Sequence, residues 1–363
     1  MIYLDANASE PLRPEARAAV LAALETGGNP SSVHAAGRAA RRMLEAARED
    51  IAACFGASPA GVVFTSGGTE ANALAVHALA RGRRLVVGAT EHEAVRAAAP
   101  AAAVVPVDRR GLADLDALAT LLAEGPAMVC LMLANNETGV LHPVAEAAAL
   151  CRAHGALLHV DAVQAAGRVA VDLAALGADS LVVSGHKMGG PLGAGALLLA
   201  GDPALVPLVA GGGQERGRRG GTPGLPAIAG MAGAARAAVA GLADQARLAG
   251  LRDAIEVASG QAGAIVAGAA APRLANTTCL ALPGVRADTQ VIALDLAGFQ
   301  VSAGAACSSG KVAASHVLAA MGLGALAGSA VRVSLPWNAV AEDAQRFVAA
   351  YLDMAGRLSR RVA

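Results

Sequence analysis

Aromatic side chains are nearly missing from this chain of 363 residues, which has four Phe, two Tyr and one Trp. Hydrophobic residues still make up 55%, so the core has to be closed with Ala and aliphatic groups instead of rings. Lysine is almost as scarce. Positive charge is carried by Arg, and only Lys187 and Lys311 offer an amine that can lose its proton, which a guanidinium does not do. No apolar run reaches the roughly 18 to 20 residues needed to cross a bilayer. Met1-Ile2-Tyr3-Leu4-Asp5 lacks the basic start and apolar stretch of a signal peptide. A soluble, cytoplasmic protein with no membrane partner is expected. Formal net charge is zero and Arg is interspersed with acidic residues, which argues against a nucleic-acid partner. The five cysteines are odd in number and share no metal-ligand spacing, so neither a disulfide framework nor a metal site is expected. Cys54, Cys130, Cys151 and Cys279 sit among apolar neighbours and read as core residues. Cys307 does not, because its neighbours are Gly, Ala and Ser.

The length suits roughly two domains. Tyr3 to Asn7 reads as a short strand or extended arm, Gly27 to Ser32 as a loop, and Arg38 to Phe55 as a helix. Val62-Val63-Phe64 then runs into Thr65-Ser66-Gly67-Gly68-Thr69-Glu70 and a helical stretch from Ala71 to about Ala80. A strand, a Gly pair and a helix start can bind an anion through backbone N–H groups, or they can form a plain turn capped by Thr69. From residue 85 apolar strands alternate with helical patterns, at 85–87, 104–107, 128–133, 157–160, 181–183 and 196–199. Such alternation predicts an α/β fold on a mostly parallel sheet covered on both faces. Gly211 to Thr222 reads as a linker, or, with three Arg among glycines, as an anion or subunit contact. Ala-rich helical sequence follows to about Ala258, and two further elements lie at 280–282 and 291–294. Residues 15–245 are expected to form a large domain, and 1–14 with 246–363 a smaller one. Gly304 to Lys311 resembles a phosphate loop, but Val312 stands where Ser or Thr is needed; Gly322 to Ala327 mimics a dinucleotide motif but follows no strand.

Ligands of such folds sit beyond the carboxyl ends of the strands. Polar residues gather there: His92, Asn135-Asn136-Glu137, Asp161 with Gln164, and Ser184-Gly185-His186-Lys187. One shared pocket accounts for them better than separate accidents. A Lys after one strand, an Asp after another and a phosphate-type loop match what pyridoxal phosphate requires: an amine for a Schiff base, a carboxylate for the pyridine nitrogen and an anion cradle.

These residues also carry a resemblance. Tyr3-Leu4-Asp5, Gly28 to His34, Phe64 to Asn72, Glu91-His92, Asn135 to Gly139, Asp161 to Gln164, Ser184 to Lys187, Gly211 to Thr222, Ala306-Cys307-Ser308-Ser309-Gly310 and Ser315 to Leu318 together resemble the cysteine desulfurases, in the NifS/IscS-like branch of the class V aminotransferase group. The resemblance runs nearly end to end. It implies a fold-type I, pyridoxal 5'-phosphate-dependent transferase with a mostly parallel large domain and a smaller α+β domain, acting as a homodimer. It also implies that L-cysteine is converted to L-alanine, with sulfur left as an enzyme persulfide for an acceptor or scaffold protein, as in iron–sulfur cluster or thio-cofactor assembly.

By that resemblance Lys187 carries the cofactor, His92 stacks on its ring, Asp161 faces the pyridine nitrogen and Gln164 meets the phenolic oxygen. Gly68, Thr69, Ser184 and His186 hold the phosphate, with Thr222 reaching across from the second subunit. Asn136 and Arg332 receive the substrate carboxylate, and Cys307 accepts the sulfur. Departures from the family pattern are Ala8-Ser9, Leu192, Gly224, Ala305 and Pro336-Trp337, none of which removes a group that performs chemistry. The competing readings are a selenocysteine lyase or another class V lyase or aminotransferase, and a non-catalytic scaffold for sulfur transfer.

Overall fold

The computed structural model describes every residue except 202, 204, 305–313 and 360–363; Cys307 and Lys311 therefore lie outside the described residues. A short strand β1 (Ile2–Tyr3) precedes seven strands that form one sheet: β2 (Val62–Thr65), β3 (Arg84–Gly88), β4 (Ala103–Val105), β5 (Ala127–Met132), β6 (Leu157–Asp161), β7 (Ser180–Ser184) and β8 (Gly195–Leu199). Their spatial order is β2-β8-β7-β6-β5-β3-β4. Pairing is parallel throughout except around β8, which is antiparallel to both β2 and β7. The α/β expectation holds with that single reversal. The chain turns back through residues 185–194 with no helical crossover, so β8 must run the other way.

Both faces are covered. In β5, Ala127, Val129 and Leu131 join the main core, whereas Met128 and Cys130 pack into a cluster on the opposite face, the two-residue period of a strand buried on both sides. The shortage of aromatic rings is met by close approach. Helices Pro14–Thr26 and Leu225–Ala240 lie so near each other that a Cβ on Gly233 would come 3.0 Å from the Glu15 carbonyl oxygen. Cys130, Cys151 and Cys279 are buried, while Cys54 is only half-buried at the end of helix Ala35–Cys54.

A second, antiparallel sheet has the order β12-β13-β10-β9, built from β9 (Ile265–Val266), β10 (Thr277–Ala281), β12 (Ser302–Ala303) and β13 (Ala330–Ser334); β11 (Phe299–Gln300) pairs in parallel with β1. Helices Gln245–Gln261, Ala287–Leu296 and Ala341–Ser359 belong to this half. Three of the chain's few aromatics, Phe299, Phe347 and Tyr351, stack there with centroids 5.6 and 5.8 Å apart.

Three local expectations need refinement. The Ala-rich run is not one helix: it breaks after Ala240 at Gly241 and bends by 56°, because Gly is a poor interior helix residue. Residues 291–294 lie inside helix Ala287–Leu296. Residues 211–222 are not a free linker, since Glu215 is buried and receives two hydrogen bonds from Arg48, each 2.8 Å, and one from Phe64 N. Glu215 and Arg216 hold left-handed backbone angles, φ 48° and 58°, a conformation that persists only where such anchoring fixes it.

Candidate active site

The parallel strands end on one edge, and there a cavity of about 310 Å³ opens. It gathers His92 from beyond β3, Asn136 from beyond β5, Asp161 and Gln164 from β6, and Ser184, His186 and Lys187 from β7. Gly68 and Thr69 close one end. Asn7 and Ala8 come from the N-terminal arm, and Arg332 comes from β13 of the second sheet.

The Gly68 end is built for an anion. Helix Gly68–Leu79 starts at the Gly pair, three residues earlier than its apolar pattern suggests, and no side chain caps it. Instead Glu70 accepts a hydrogen bond from Ser66 N at 2.8 Å, and Arg219 grips Glu70 at 2.7 and 3.1 Å. That Arg lowers the Glu70 pKa against the opposing effect of burial. Backbone N–H groups of a first helical turn have no acceptor within the helix. A Cβ on Gly195 would lie 2.5 Å from the Gly67 carbonyl carbon, so only glycine lets the helix start sit this close to β8.

Across the gap, Ser184 Oγ and His186 Nδ1 are buried with no hydrogen-bond partner among the described residues. Burial, with Lys187 and Arg168 adding to it, pushes the His186 imidazole down to about 4, so it is neutral near pH 7 and keeps one N–H to give. Unmatched polar atoms of this kind are costly unless a ligand completes them.

In the middle of the cavity, Asp161 Oδ1 accepts from Val163 N at 2.9 Å and Oδ2 accepts from Asn72 Nδ2 at 2.8 Å. Gln164 Nε2 donates to the Asn7 carbonyl at 2.9 Å, and its Oε1 receives Arg168 Nη1 at 2.5 Å. Lys187 Nζ donates to the carbonyls of Asn7 and Ala8 at 2.6 and 2.9 Å. His92 caps a short helix, its Nδ1 accepting from Ala94 N at 3.1 Å. The remaining ring proton of the neutral imidazole then belongs on Nε2.

At the far wall Arg332 lies within β13 and is almost wholly buried. Its Nη2 bonds Asp5 Oδ1 at 2.7 Å and its Nη1 bonds the Asn136 carbonyl at 3.1 Å, while Nε has no partner among the described residues. The arrangement leaves donor capacity on a guanidinium already held in place, which suits an incoming carboxylate.

One predicted site residue is not in this cavity. Thr222 is exposed and borders a separate hollow with Ser66 and Arg219, and Cys307 lies outside the described residues. Sequence reasoning also missed partners. Asn7 reads only as the end of the N-terminal arm, Asp5 gives no sign of pairing with Arg332, and Asn72 and His159 look like ordinary interior positions.

The residues present fit pyridoxal phosphate. The unmatched Ser184 and His186 atoms and the helix start suit its phosphate, the Asp161 carboxylate suits its ring nitrogen, and Lys187 suits its aldehyde.

Similarity to known proteins points the same way. The model of the aminotransferase class-V family matches residues 2–347. A cysteine desulfurase of Cereibacter sphaeroides is 42% identical over 359 residues, covering 94% of this chain and 92% of that protein. The crystal structure of a NifS-like protein from Rickettsia africae ESF-5 superposes with a TM-score of 0.91 at 32% identity, covering 98% of this chain and 99% of that one. SspA in complex with cysteine superposes at 0.80 with 27% identity, covering 94% and 100%.

Proposed function

The chain belongs to the class-V aminotransferase family, whose cofactor is pyridoxal phosphate, and on that footing we propose that it is a cysteine desulfurase. It takes L-cysteine, releases L-alanine and leaves the sulfur as a persulfide on Cys307 for transfer to an acceptor protein. The observation that carries this reading is the convergence in one cavity of an amine, an oriented carboxylate, an anion cradle and a buried guanidinium. Similarity to a cysteine desulfurase over nearly the whole chain and to a protein solved with cysteine supports the choice of substrate.

When bound, pyridoxal phosphate supplies an electron sink for bonds at the substrate α-carbon. The chain's own groups do the rest. Gly68, Thr69, Ser184 and His186 hold the phosphate, Asp161 fixes the ring nitrogen and Gln164 offers an amide to the ring edge. Lys187 is both the attachment point and a proton carrier, held meanwhile by two carbonyls of the arm. Arg332 and Asn136 orient the α-carboxylate. Ala94, Met132 and Ala134 line the same cavity with apolar surface and keep water out. His92 presents Nε2–H as a hydrogen-bond donor. The Cys307 thiolate attacks the substrate sulfur, whose bond to carbon breaks, and the atoms balance as cysteine plus thiol giving alanine plus persulfide.

Thr222, exposed and away from the cavity of its own chain, supports a homodimer in which it serves the other subunit. The test is to incubate the purified holoenzyme with cysteine and a reducing thiol, and to measure alanine and sulfide together. Equal yields are expected from the wild type and none from Lys187→Ala. Cys307→Ala should keep a cysteine-induced change in the visible spectrum yet release no sulfide. Wild-type protein that turns yellow with pyridoxal phosphate but makes no alanine from cysteine refutes the reading.

A further inference from the structure

Behind Asp161 runs a chain of buried polar groups whose hydrogen bonds can point only one way. A carboxylate only accepts, so Asn72 turns its Nδ2 to Asp161 Oδ2 at 2.8 Å and presents Oδ1 on its other side. That oxygen lies 2.9 Å from His159 Nε2, which must therefore donate. Burial pushes the His159 imidazole down to about 4, so the ring is neutral and its second nitrogen, Nδ1, is an acceptor. Ser180 Oγ, 2.8 Å away, completes the chain by donating to it. Asn72, His159 and Ser180 are all buried. Their elements are the helix that carries the anion cradle and the two strands that carry Asp161 and Lys187.

We propose that Ser180, His159 and Asn72 form a one-directional relay of positioning residues that fixes Asp161 as an acceptor toward the cofactor's ring nitrogen. The proposal rests on the reading that pyridoxal phosphate occupies this cavity. The relay reaches the cofactor only through Asp161. Asn72 borders the cavity, but its amide is committed to Asp161 and His159. With Asn72 in place, one carboxylate oxygen is held by an amide, the other by Val163 N, and the plane of the group is set. A fixed acceptor favours a protonated ring nitrogen, the form that withdraws electrons from substrate. Without the relay, Asp161 can rotate or be satisfied elsewhere, and the ring nitrogen loses its reason to hold a proton. The charge-assisted bond between Asp161 and the ring nitrogen is then weakened or lost, which lowers cofactor affinity by about tenfold to a hundredfold.

The test loads the full-length protein with pyridoxal phosphate labelled with ¹⁵N in the ring and reads the nitrogen resonance, alongside cofactor affinity measured on the stripped protein. In the wild type the resonance should be that of a protonated pyridine. Asn72→Leu should move it toward the unprotonated position and weaken binding by the factor given. His159→Gln, whose amide can still donate to Asn72 and accept from Ser180, should restore the wild-type resonance, whereas His159→Leu should behave like Asn72→Leu. If the leucine variants do not fold, Ser180→Ala carries the test, with a smaller displacement in the same direction. Variants whose resonance and affinity match the wild type overturn the relay while leaving the enzyme's function intact. A wild-type protein that takes up no pyridoxal phosphate overturns the functional reading itself, and the relay falls with it.

Discussion

Replacing Glu137 by Gln should make the protein's stability less sensitive to a rise in pH from 4.5 to about 7, by an amount the structure sets. Glu137 stands in the buried turn after β5, where Asn135 Oδ1 accepts from the backbone of Glu137 and Thr138. Its Oε2 accepts the Ser315 hydroxyl at 2.5 Å. Burial pushes its carboxyl up to about 7 from an ordinary 4.5, although Ser315, Arg332 and His92 all pull the other way. A glutamate raised in the folded state holds its proton more tightly folded than unfolded. The stability it contributes is complete below pH 4.5 and is lost as pH rises through about 7. At 1.36 kcal/mol per unit the loss comes to about 3 kcal/mol. Gln copies the protonated acid in size and can still accept from Ser315, but it has no charge to bury. The difference in unfolding free energy between Glu137→Gln and wild type should therefore be near zero at about pH 4.5 and grow to about 3 kcal/mol in the variant's favour at about pH 8. Denaturant midpoints across that range measure it directly. Parallel stability curves for the two proteins would falsify the claim that Glu137 is buried protonated.

Other outcomes follow from the same geometry. Arg332→Lys keeps the charge but loses the fork, so the KM for cysteine should rise about tenfold to a hundredfold with a smaller change in kcat; an unchanged KM in alanine-formation kinetics removes Arg332 from the substrate site. Burial pushes His142 and His159 down to about 4, so the stability they contribute is present above pH 6.5 and is lost as pH falls through 4; thermal midpoints should drop steeply over that window, and a flat profile counts against two buried neutral imidazoles. Glu215→Ala removes the buried counter-charge of the Arg48 guanidinium and leaves it the more exposed Glu45 carboxylate, which should cost about 3 kcal/mol. A denaturation midpoint equal to wild type rules that pairing out.

How much of this was readable beforehand depended on how local the cause was. The central strands showed because both faces are buried, which forces runs such as Leu181-Val182-Val183. The site residues showed because parallel topology puts strand ends together, so Asp161 and Lys187 could be assigned to one pocket without knowing a distance. The reversal of β8 did not show, because an apolar strand looks alike in either direction. Nor did the start of helix Gly68–Leu79, where Glu70 reaching back to Ser66 outweighs the poor helix preference of glycine. Asn72 and His159 were hidden for a different reason. Each occupies a position its element would bury anyway, and their meaning comes only from partners 21, 87 and 89 residues away in the chain.

The N-terminal arm ties the two halves of the site into one register. By pairing it belongs to the second sheet, since Leu4 and Ala6 exchange backbone hydrogen bonds with Ser334. Yet the carbonyl of Asn7 receives Lys187 Nζ and Gln164 Nε2, while the Asn7 amide bonds the Asn136 carbonyl and Thr277. Two residues earlier Asp5 holds Arg332, and three residues later Glu10 holds Arg168 and receives Trp337 N. Trp337, one of the departures from the family pattern, clamps the arm further by donating to the Pro11 carbonyl and lying under the Arg13 guanidinium at 4.8 Å. Buried ion pairs such as Asp5–Arg332 and Glu10–Arg168 add little net stability, because desolvation offsets most of their attraction, but breaking one leaves a bare buried charge. Their effect is therefore to fix position more than to stabilise. The arm sets the separation between the Lys187 amine on one sheet and the Arg332 guanidinium on the other, and under the proposed function that separation decides which substrates reach both.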